Sequence, residues 1–366
     1  MIAEGEFTFG FPFLGFFKSF EDAKFVAMKI ATKILVFSLS FLVLTACDES
    51  PDAKVSTSQQ KSEAPQDFIE ELSDDIIENP NNANLYIKRS MAYRDRNLME
   101  LAVKDAQRAL SIDSTASYFH QVLGEMYFLR AELRPARLSL EKSTELEPSN
   151  TDALLKLAEV YLLLRRHDEA IAAANDALRQ DDKLAEGYFL KGYVYKDVGD
   201  TANAKSSFQT ALEVNPEYYQ AYMELGSLNA FEGDPIALEY FNSALDLRPK
   251  SAEAFYHKGM FLQAGNRMDR ARDTYKQLLQ ADPNNVLAFY NLGYLYLTEY
   301  LEFDTAVAYF DSAIVAKPDY LEAIYNRGLA YEEMELYGKA ETSYRQALEL
   351  NPQYDLAAKG LTRILE

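Results

Sequence analysis

The apolar positions between residues 83 and 354 follow one pattern eight times. A proline, or a polar residue standing in for it, marks each period. The markers are Pro80, Ser114, Pro148, Asp182, Pro216, Pro249, Pro283, Pro318 and Pro352. Consecutive markers lie 33 to 35 residues apart. A period of this length predicts pairs of helices that stack on one another as a solenoid.

Each period contains a small residue in its predicted first helix and alanines in its second. The small residues are Ser90, Gly124, Ala158, Gly192, Gly226, Gly259, Gly293 and Gly328. Three residues later stand Tyr93, Tyr127, Tyr161, Tyr195, Asn229, Leu262, Tyr296 and Tyr331. The second helices carry Ala102, Ala136, Ala170, Ala204, Ala237, Ala271, Ala306 and Ala340.

Glycine inside a helix costs about 1 kcal/mol relative to alanine, so its recurrence needs a structural reason. We expect that two helix backbones approach closely at the glycine, with the alanines as the opposing surface. The tyrosine three residues on lies on the same helical face and is expected to fill the remaining gap.

The ends of the helices are also predicted. Proline or aspartate at each marker ends a second helix, and Asn82, Asn150, Ser251 and Asn285 stand where the next helix needs an N-cap. The short period lacks a residue near 233–235, and the long one gains a residue near 300–302. Both changes are expected in the turn between paired helices, where a change of length costs least.

The pattern of small residue, tyrosine and alanine resembles the tetratricopeptide repeat (TPR) in every period. The resemblance implies an all-α fold, a right-handed superhelical α-solenoid of about eight helix-turn-helix repeats with flanking capping helices. The expected repeats are 83–116, 117–150, 151–184, 185–218, 219–251, 252–285, 286–320 and 321–354.

Two amphipathic segments flank the repeats. In the predicted N-terminal cap, 67–82, the apolar face comprises Phe68, Ile69, Leu72, Ile76 and Ile77. In the predicted C-terminal cap, 355–366, the core-facing residues are Leu356, Leu361, Ile364 and Leu365. A solenoid needs such ends because a terminal repeat otherwise exposes its stacking face.

The N-terminal region carries a targeting signal. Residues 1–27, rich in Phe and Gly, have no helical or strand period, and we interpret them as a non-native upstream extension. From Met28, Lys29 and Lys33 precede an apolar run over 34–44, as in a signal peptide covering 28–46. The run ends in Leu44-Thr45-Ala46-Cys47, which resembles the bacterial lipoprotein box. That resemblance implies that Cys47, the only cysteine, is acylated and anchors the chain by two or three acyl chains.

Residues 47–66 are acidic and polar and predict a disordered tether. The acidic residues after Cys47 resemble two conflicting sorting signals, one for retention at the inner membrane and one for export to the surface. The expected location is the bacterial cell envelope, at the outer membrane rather than the inner, in the periplasm or on the surface.

The charge and the chemistry of the chain exclude several classes of function. A net charge of -20 disfavours nucleic acid and favours basic or neutral partners, although it also suits a soluble surface. Three histidines in separate repeats and a single cysteine offer no metal site, and no phosphate-binding loop or nucleophile elbow is present. The pair Asp181-Asp182 suits a helix end. We therefore expect no enzyme, no cofactor and no metal.

The TPR resemblance implies a concave groove lined by the first helices. The aromatic residues at the groove positions are Tyr118, Phe128, Phe189, Tyr193, Phe231, Tyr256, Tyr290, Tyr294 and Tyr325. Such a row suits an extended peptide or a partner helix, although part of it can instead pack inside the solenoid. The Lys and Asn clamp of cytosolic cochaperones is absent, since Gln121 and Glu125 stand at two of its positions.

These observations together predict a lipid-anchored envelope scaffold or adaptor that binds peptide segments or partner proteins in its groove, for an assembly or secretion machinery. The alternative is a glycan-handling accessory protein whose groove tyrosines bind polysaccharide or peptidoglycan. The oligomeric state stays open.

Overall fold

A computed structural model describes residues 66–366, with side chains from Phe68 onward. The predictions for the extension, the signal peptide, Cys47 and the tether fall outside these residues, apart from the last tether position. The described part of the chain forms eighteen α-helices and no strand. The all-α solenoid class is therefore confirmed.

The helices follow one another as pairs. They are α1 (Gln66–Glu78), α2 (Ala83–Asp95), α3 (Met99–Ile112), α4 (Ser117–Leu129), α5 (Leu133–Leu146), α6 (Thr151–Leu163), α7 (His167–Gln180), α8 (Ala185–Asp197), α9 (Thr201–Val214), α10 (Tyr219–Phe231), α11 (Ala237–Leu247), α12 (Ala252–Ala264), α13 (Met268–Ala281), α14 (Val286–Thr298), α15 (Phe303–Ala316), α16 (Leu321–Glu333), α17 (Tyr337–Leu350) and α18 (Asp355–Leu365). Within residues 66–366, no helix combines the length and apolar character that a membrane span requires.

The chain divides into two compact units, with the boundary inside α7 between Ala173 and Ala174. In the described part of the first unit, successive helices from α1 through α6 pack on one another. In the second unit the same holds from α8 to α18, and α16 also contacts α18. Local contacts between successive helices thus build both cores.

Where the small position of the first helix is glycine, it faces a large side chain, and this corrects the expectation of close backbones lined by alanine at the glycine. A Cβ atom built on Gly192 would lie 2.5 Å from the ring of Phe208, and one on Gly259 would lie 2.5 Å from the ring of Tyr275. Leu140 takes the same place beside Gly124. Glycine is needed because the side chain of the second helix of the same repeat occupies the space of its Cβ.

The tyrosine three residues later connects neighbouring repeats. The hydroxyl of Tyr127 in α4 accepts a hydrogen bond from Nε2 of Gln107 in α3 at 2.8 Å. The hydroxyl of Tyr161 in α6 donates to Oε1 of Glu141 in α5 at 2.6 Å. In both cases the partner belongs to the second helix of the preceding repeat.

The predicted N-caps are confirmed. The side chains of Asn150, Ser251 and Asn285 accept hydrogen bonds from backbone N–H groups three residues later at 3.0–3.1 Å. Asn82 accepts from the backbone N–H of Asn84 at 3.2 Å. These bonds satisfy donors that the first turn of a helix leaves without a partner.

The turn within each pair contains one residue with a left-handed backbone. These residues are Asn97, Ala131, Arg165, Gly199, Gly233, Asn266, Leu301 and Glu335, with φ between 54° and 80°. Only Gly199 and Gly233 adopt this conformation without a steric cost. The two changes of period, near residues 233 and 301, fall in these turns as predicted.

The two terminal helices bury fewer apolar residues than expected. In α1, Ile69, Leu72 and Ile76 are buried, whereas Phe68 is 53% exposed and Ile77 is 77% exposed. In α18, Leu361 and Ile364 pack on the cluster around Tyr344, but Leu356 and Leu365 are exposed. Within the described residues, each of these two helices packs on helices of one side only, so part of its apolar face is exposed.

Candidate functional site

The candidate site is the set of first helices in the second unit, α8, α10, α12, α14 and α16, which we name the first-helix face. Seven of the nine predicted aromatic residues lie on these helices: Phe189, Tyr193, Phe231, Tyr256, Tyr290, Tyr294 and Tyr325. The other two, Tyr118 and Phe128, lie on α4 in the first unit.

Burial divides the nine aromatic residues. Phe231 is 86% exposed and Tyr118 is 45% exposed, with the Tyr118 hydroxyl 3.4 Å from Sδ of Met91. Phe128 is buried, and the ammonium of Lys156 lies 4.8 Å from its ring centroid. The remaining six are half-buried. A half-buried ring packs on the core with one part and offers the rest to solvent.

At the start of the face, Phe189 and Tyr193 meet edge to face with their ring centroids 4.9 Å apart. Phe189 also packs on Tyr218, whose ring centroid lies 4.8 Å away. The Tyr193 hydroxyl donates a hydrogen bond to Oε1 of Glu224 at 2.6 Å. The other carboxylate oxygen of Glu224 pairs with the ammonium of Lys196.

A second group of rings lies further along. The centroids of Tyr290 and Tyr294 are 6.4 Å apart, and those of Tyr290 and Tyr320 are 5.1 Å apart. The hydroxyl of Tyr290 accepts a hydrogen bond from Nδ2 of Asn326 at 3.1 Å. Tyr325 meets Tyr354 edge to face at 5.7 Å. Phe231 contacts none of these rings.

Sequence reasoning missed three tyrosines of the site, Tyr218, Tyr320 and Tyr354. Each is the residue that precedes a helix, and each contacts an aromatic ring on the first helix of the repeat that it ends. Each also stands two residues after a marker proline, so Pro-x-Tyr at one phase of the repeat was the available signal.

Burial and nearby carboxylates set the ionisation of these tyrosines. Burial, with a further contribution from Glu322, raises the pKa of Tyr354 to about 12. Burial and Glu322 also raise the pKa of Tyr320. Burial, Tyr320 and Glu322 raise the pKa of Tyr290. Glu322 therefore lies within electrostatic range of three tyrosines. The hydroxyls of these three tyrosines are neutral at physiological pH.

His257 is the histidine of the first-helix face. Burial lowers the pKa of His257, although Glu253 and Glu224 act in the opposite direction. Its ring stacks on Phe241 at 6.0 Å and meets Tyr256 edge to face at 5.7 Å. The neutral imidazole is therefore part of the aromatic packing.

In the described chain, no group of three or more His, Cys, Asp or Glu side chains is arranged to hold a metal ion. The first-helix face instead combines partly exposed rings, hydroxyls and carboxylates. Such a surface suits the binding of a polypeptide, since aromatic side chains bury a large area at low entropic cost.

The helix pairs with this face define an all-α repeat protein of the binding type. Tetratricopeptide repeat models match residues 131–185, 185–218, 235–286, 261–299 and 321–354, about half of the chain. The chain belongs to the tetratricopeptide repeat family, whose repeats bind proteins and peptides.

Several known proteins are similar to this chain. DnaJ homolog subfamily C member 7 of Mus musculus is 25% identical over 239 residues, which are 64% of this chain and 43% of that protein. Tetratricopeptide repeat protein 37 of Xenopus laevis is 23% identical over 291 residues, 77% of this chain and 18% of that protein. The chain thus spans less than half the length of either relative.

A solved structure shows the same fold. The C-terminal part of the TPR repeat-containing protein from Cytophaga hutchinsonii superposes with a TM-score of 0.57 at 16% identity. The match covers 65% of this chain and 98% of that structure.

Proposed function

We propose that this protein is a lipid-anchored scaffold or adaptor of the bacterial cell envelope, and that its first-helix face binds peptide segments or partner proteins. Acylated Cys47 holds the chain at a membrane, residues 47–66 set its reach, and the repeats supply the contact. The partners belong to an assembly or secretion machinery, and the protein acts by binding rather than by catalysis.

The observation that carries the binding role is the row of half-buried rings in the second unit. Tyr290 packs on Phe310 in the core, with its ring centroid 6.1 Å away, while part of the ring stays accessible. Rings held in this way are rigid before a partner arrives, which lowers the entropic cost of binding. Tyr193 is fixed similarly by its hydrogen bond to Glu224.

The anchor rests on the lipobox resemblance of residues 44–47 and on the basic and apolar segment before them. Two or three acyl chains hold a protein at a membrane stably, whereas one chain does not. An outer-membrane location is favoured, with the periplasmic or the outer surface as the site of action.

The binding role is tested by crosslinking and purification of the full-length protein from detergent-solubilised cells. The variant Phe231→Ser with Tyr294→Ser removes aromatic surface from two first helices. Because Phe231 is 86% exposed and contacts no other aromatic ring, its loss leaves the fold intact. We expect crosslinked partners to be lost from this variant.

The matched control is Val315→Ser with Leu301→Ser. These two side chains are 82% and 62% exposed and lie on a second helix and in a turn, outside the first-helix face. The control should retain every partner. Equal recovery of partners from both variants would contradict binding at the first-helix face.

The anchor is tested separately with Cys47→Ser. The variant should lose incorporation of a labelled fatty acid and should move from the membrane fraction to the soluble fraction. N-terminal peptide mapping of the mature protein would also show whether it begins at Cys47. A mature protein that contains residues 1–27 would contradict the processing proposed here.

The glycan alternative is distinguished by binding to a glycan array. Glycan binding is supported if the protein retains polysaccharide or peptidoglycan fragments, if Tyr294→Ser abolishes this retention, and if no protein partner is crosslinked. That result would contradict peptide binding.

A further inference from the structure

At the start of the first-helix face, a cation, a tyrosine ring and a carboxylate form a complete set. The ammonium of Lys196 lies 5.3 Å from the ring centroid of Tyr193 and pairs with Glu224. Glu224 also accepts the hydrogen bond from the Tyr193 hydroxyl. The ring and the carboxylate thus hold the same cation, as cation–π attraction and ion pairing allow.

A similar set stands at the other end. The guanidinium of Arg363 in α18 donates to Oε2 of Glu332 at 2.8 Å. The same oxygen accepts the hydroxyl of Tyr344 at 2.5 Å, and Arg363 lies beside Tyr325. At both ends of the face, a cation of this chain pairs with a carboxylate and lies beside a tyrosine ring.

The middle of the face has rings and carboxylates as well. Tyr256, Tyr290 and Tyr294 are half-buried, and in the described residues no Lys or Arg lies over their rings. Glu253 and Glu322 are exposed, and neither forms an ion pair within residues 66–366.

Two cations of this chain lie over rings at the edges of the middle: Arg248, 4.0 Å from the ring centroid of Tyr219, and Lys317, at Tyr320. Glu253 accepts a hydrogen bond of 3.4 Å from the Tyr219 hydroxyl, and Lys317 lies 5.2 Å from the ring centroid of Tyr320. Glu322 lies within electrostatic range of Tyr290, Tyr320 and Tyr354. Glu253 therefore stands beside Tyr219, and Glu322 stands near Tyr290, Tyr320 and Tyr354.

We propose that the middle of the first-helix face binds a protein segment carrying Lys or Arg, with a cation over Tyr290 or Tyr294 and paired with Glu253 or Glu322. This inference rests on the proposed function, because it names the chemistry of the segment bound at the same face. The bound side chain would repeat the arrangement that Lys196 and Arg363 make within the chain.

Charge favours this occupant over an acidic or an apolar one. The chain has a net charge of -20, so an acidic segment is repelled on approach. A purely apolar segment would take water from Glu253 and Glu322 without replacing its hydrogen bonds. A segment with Lys or Arg satisfies both carboxylates and gains contact with the rings.

The test measures binding of three labelled peptides to the purified full-length chain in detergent by fluorescence anisotropy. All three peptides have Leu at alternating positions. At the other positions the first carries Lys and Arg, the second Gln and the third Glu. We expect the cationic peptide to bind at least about tenfold more tightly than the Gln peptide, in the range of one close interfacial charge pair. Added salt should weaken this binding.

Variants of the protein show which residues bind the cationic peptide. Glu253→Gln with Glu322→Gln should weaken the cationic peptide about tenfold and leave the Gln peptide unchanged. The control, Glu213→Gln with Glu349→Gln, removes two exposed carboxylates from second helices and should change neither affinity. Tyr294→Leu should weaken binding of the cationic peptide. Tyr294→Phe keeps the ring and should bind this peptide with the affinity of the parent protein.

The outcomes separate this inference from the proposed function. In one outcome, all three peptides bind equally, and the double variant Phe231→Ser with Tyr294→Ser abolishes that binding. This result would overturn the cationic preference and leave peptide binding in place. Tighter binding of the Glu peptide would do the same. Absence of binding by all three peptides would overturn the cationic segment and count against peptide binding as well.

Discussion

The ring of Phe241 occupies the space that a side chain at Gly226 would need. A Cβ atom at position 226 would lie 2.6 Å from Cε1 of Phe241, much closer than real Cβ contacts. The glycine of α10 and the phenylalanine of α11 therefore form one packing unit within their repeat.

The same pairing of a small residue with a residue of the second helix recurs along the chain. The repeats with glycine at this position carry Leu140, Phe208, Phe241, Tyr275, Phe310 or Tyr344 in the facing place. The two repeats that have Ser90 and Ala158 instead carry Ala106 and Ala174 in the corresponding phase. A large residue in the second helix thus goes with glycine in the first, and a small one goes with serine or alanine, as close packing requires.

Substitution of Gly226 should therefore destabilise its repeat. Gly226→Leu forces a large side chain against a ring that is fully buried, and we expect a loss of about 3 kcal/mol. Chemical denaturation followed by circular dichroism measures the loss. Gly338→Ala is the control, because nothing lies within 4 Å of its Cβ position. An unchanged midpoint for Gly226→Leu would contradict the packing.

A double-mutant cycle tests the pairing itself. Gly226→Ala should cost less in a Phe241→Ala background than in the parent, since the smaller residue vacates the space. Additive effects would show that the two residues do not share one packing site.

The left-handed turn residues predict a pair of opposite effects. Leu301 has φ of 54° and is 62% exposed, so Leu301→Gly should stabilise the protein by about 0.5 kcal/mol or more, through relief of the backbone conformation. Gly233 has φ of 74° with open space around it, so Gly233→Ala should destabilise by about 1 kcal/mol. Denaturant midpoints decide both, and effects of the same sign would contradict the argument.

The N-cap of α14 provides a test with an adjacent control. Asn285 accepts a hydrogen bond from the backbone N–H of Ala288 at 3.0 Å and donates to Asp282 at 2.9 Å. Asn285→Ala should cost about 1 kcal/mol. Asn284→Ala, at the exposed neighbouring position, should cost little. Hydrogen exchange in the first turn of α14 should rise only in the first variant.

Acid should loosen the C-terminal helix. Burial opposes the ionisation of Glu332, but hydrogen bonds from Arg363 and Tyr344 outweigh it and hold the pKa of Glu332 below its ordinary value. A depressed folded-state pKa stabilises the fold above the ordinary glutamate pKa of about 4.3, and this stability is lost as the pH falls through the folded-state value. The protection factors of residues 355–365 against hydrogen exchange, which are corrected for the intrinsic exchange rate at each pH, should therefore fall on acidification.

Two variants isolate that contribution. Glu332→Gln should speed exchange in α18 at neutral pH and reduce the further change in acid. Glu349→Gln removes an exposed carboxylate from α17 and should leave the acid response as it is. Equal acid responses in both variants would assign the effect to other groups.

Much of the fold was readable from the sequence because its signals are local. The period of the marker residues predicted the helix pairs, and the N-caps at Asn150, Ser251 and Asn285 were identified from single positions next to those markers. A cap bonds to an N–H only a few residues away, so its partner is known without the tertiary fold.

The site was predicted only in part. The aromatic row of the first helices was identified by repeat position, but its exposure ranges from the buried Phe128 to Phe231 at 86%. Tyr218, Tyr320 and Tyr354 were missed because they precede the helices, where the resemblance assigns no binding role. Their ring contacts form with side chains about thirty residues earlier, on the first helix of the same repeat.

The sequence by itself determined the all-α class, the repeat period and the helix ends, since these follow from residues within a few positions of one another. The tertiary structure decided why Gly226 is glycine, which apolar residues of the terminal helices are buried, and which carboxylates stand unpaired among the tyrosines. Those properties depend on side chains from different helices, such as Phe241 against Gly226 and Arg363 against Glu332, that meet only after the helices pack.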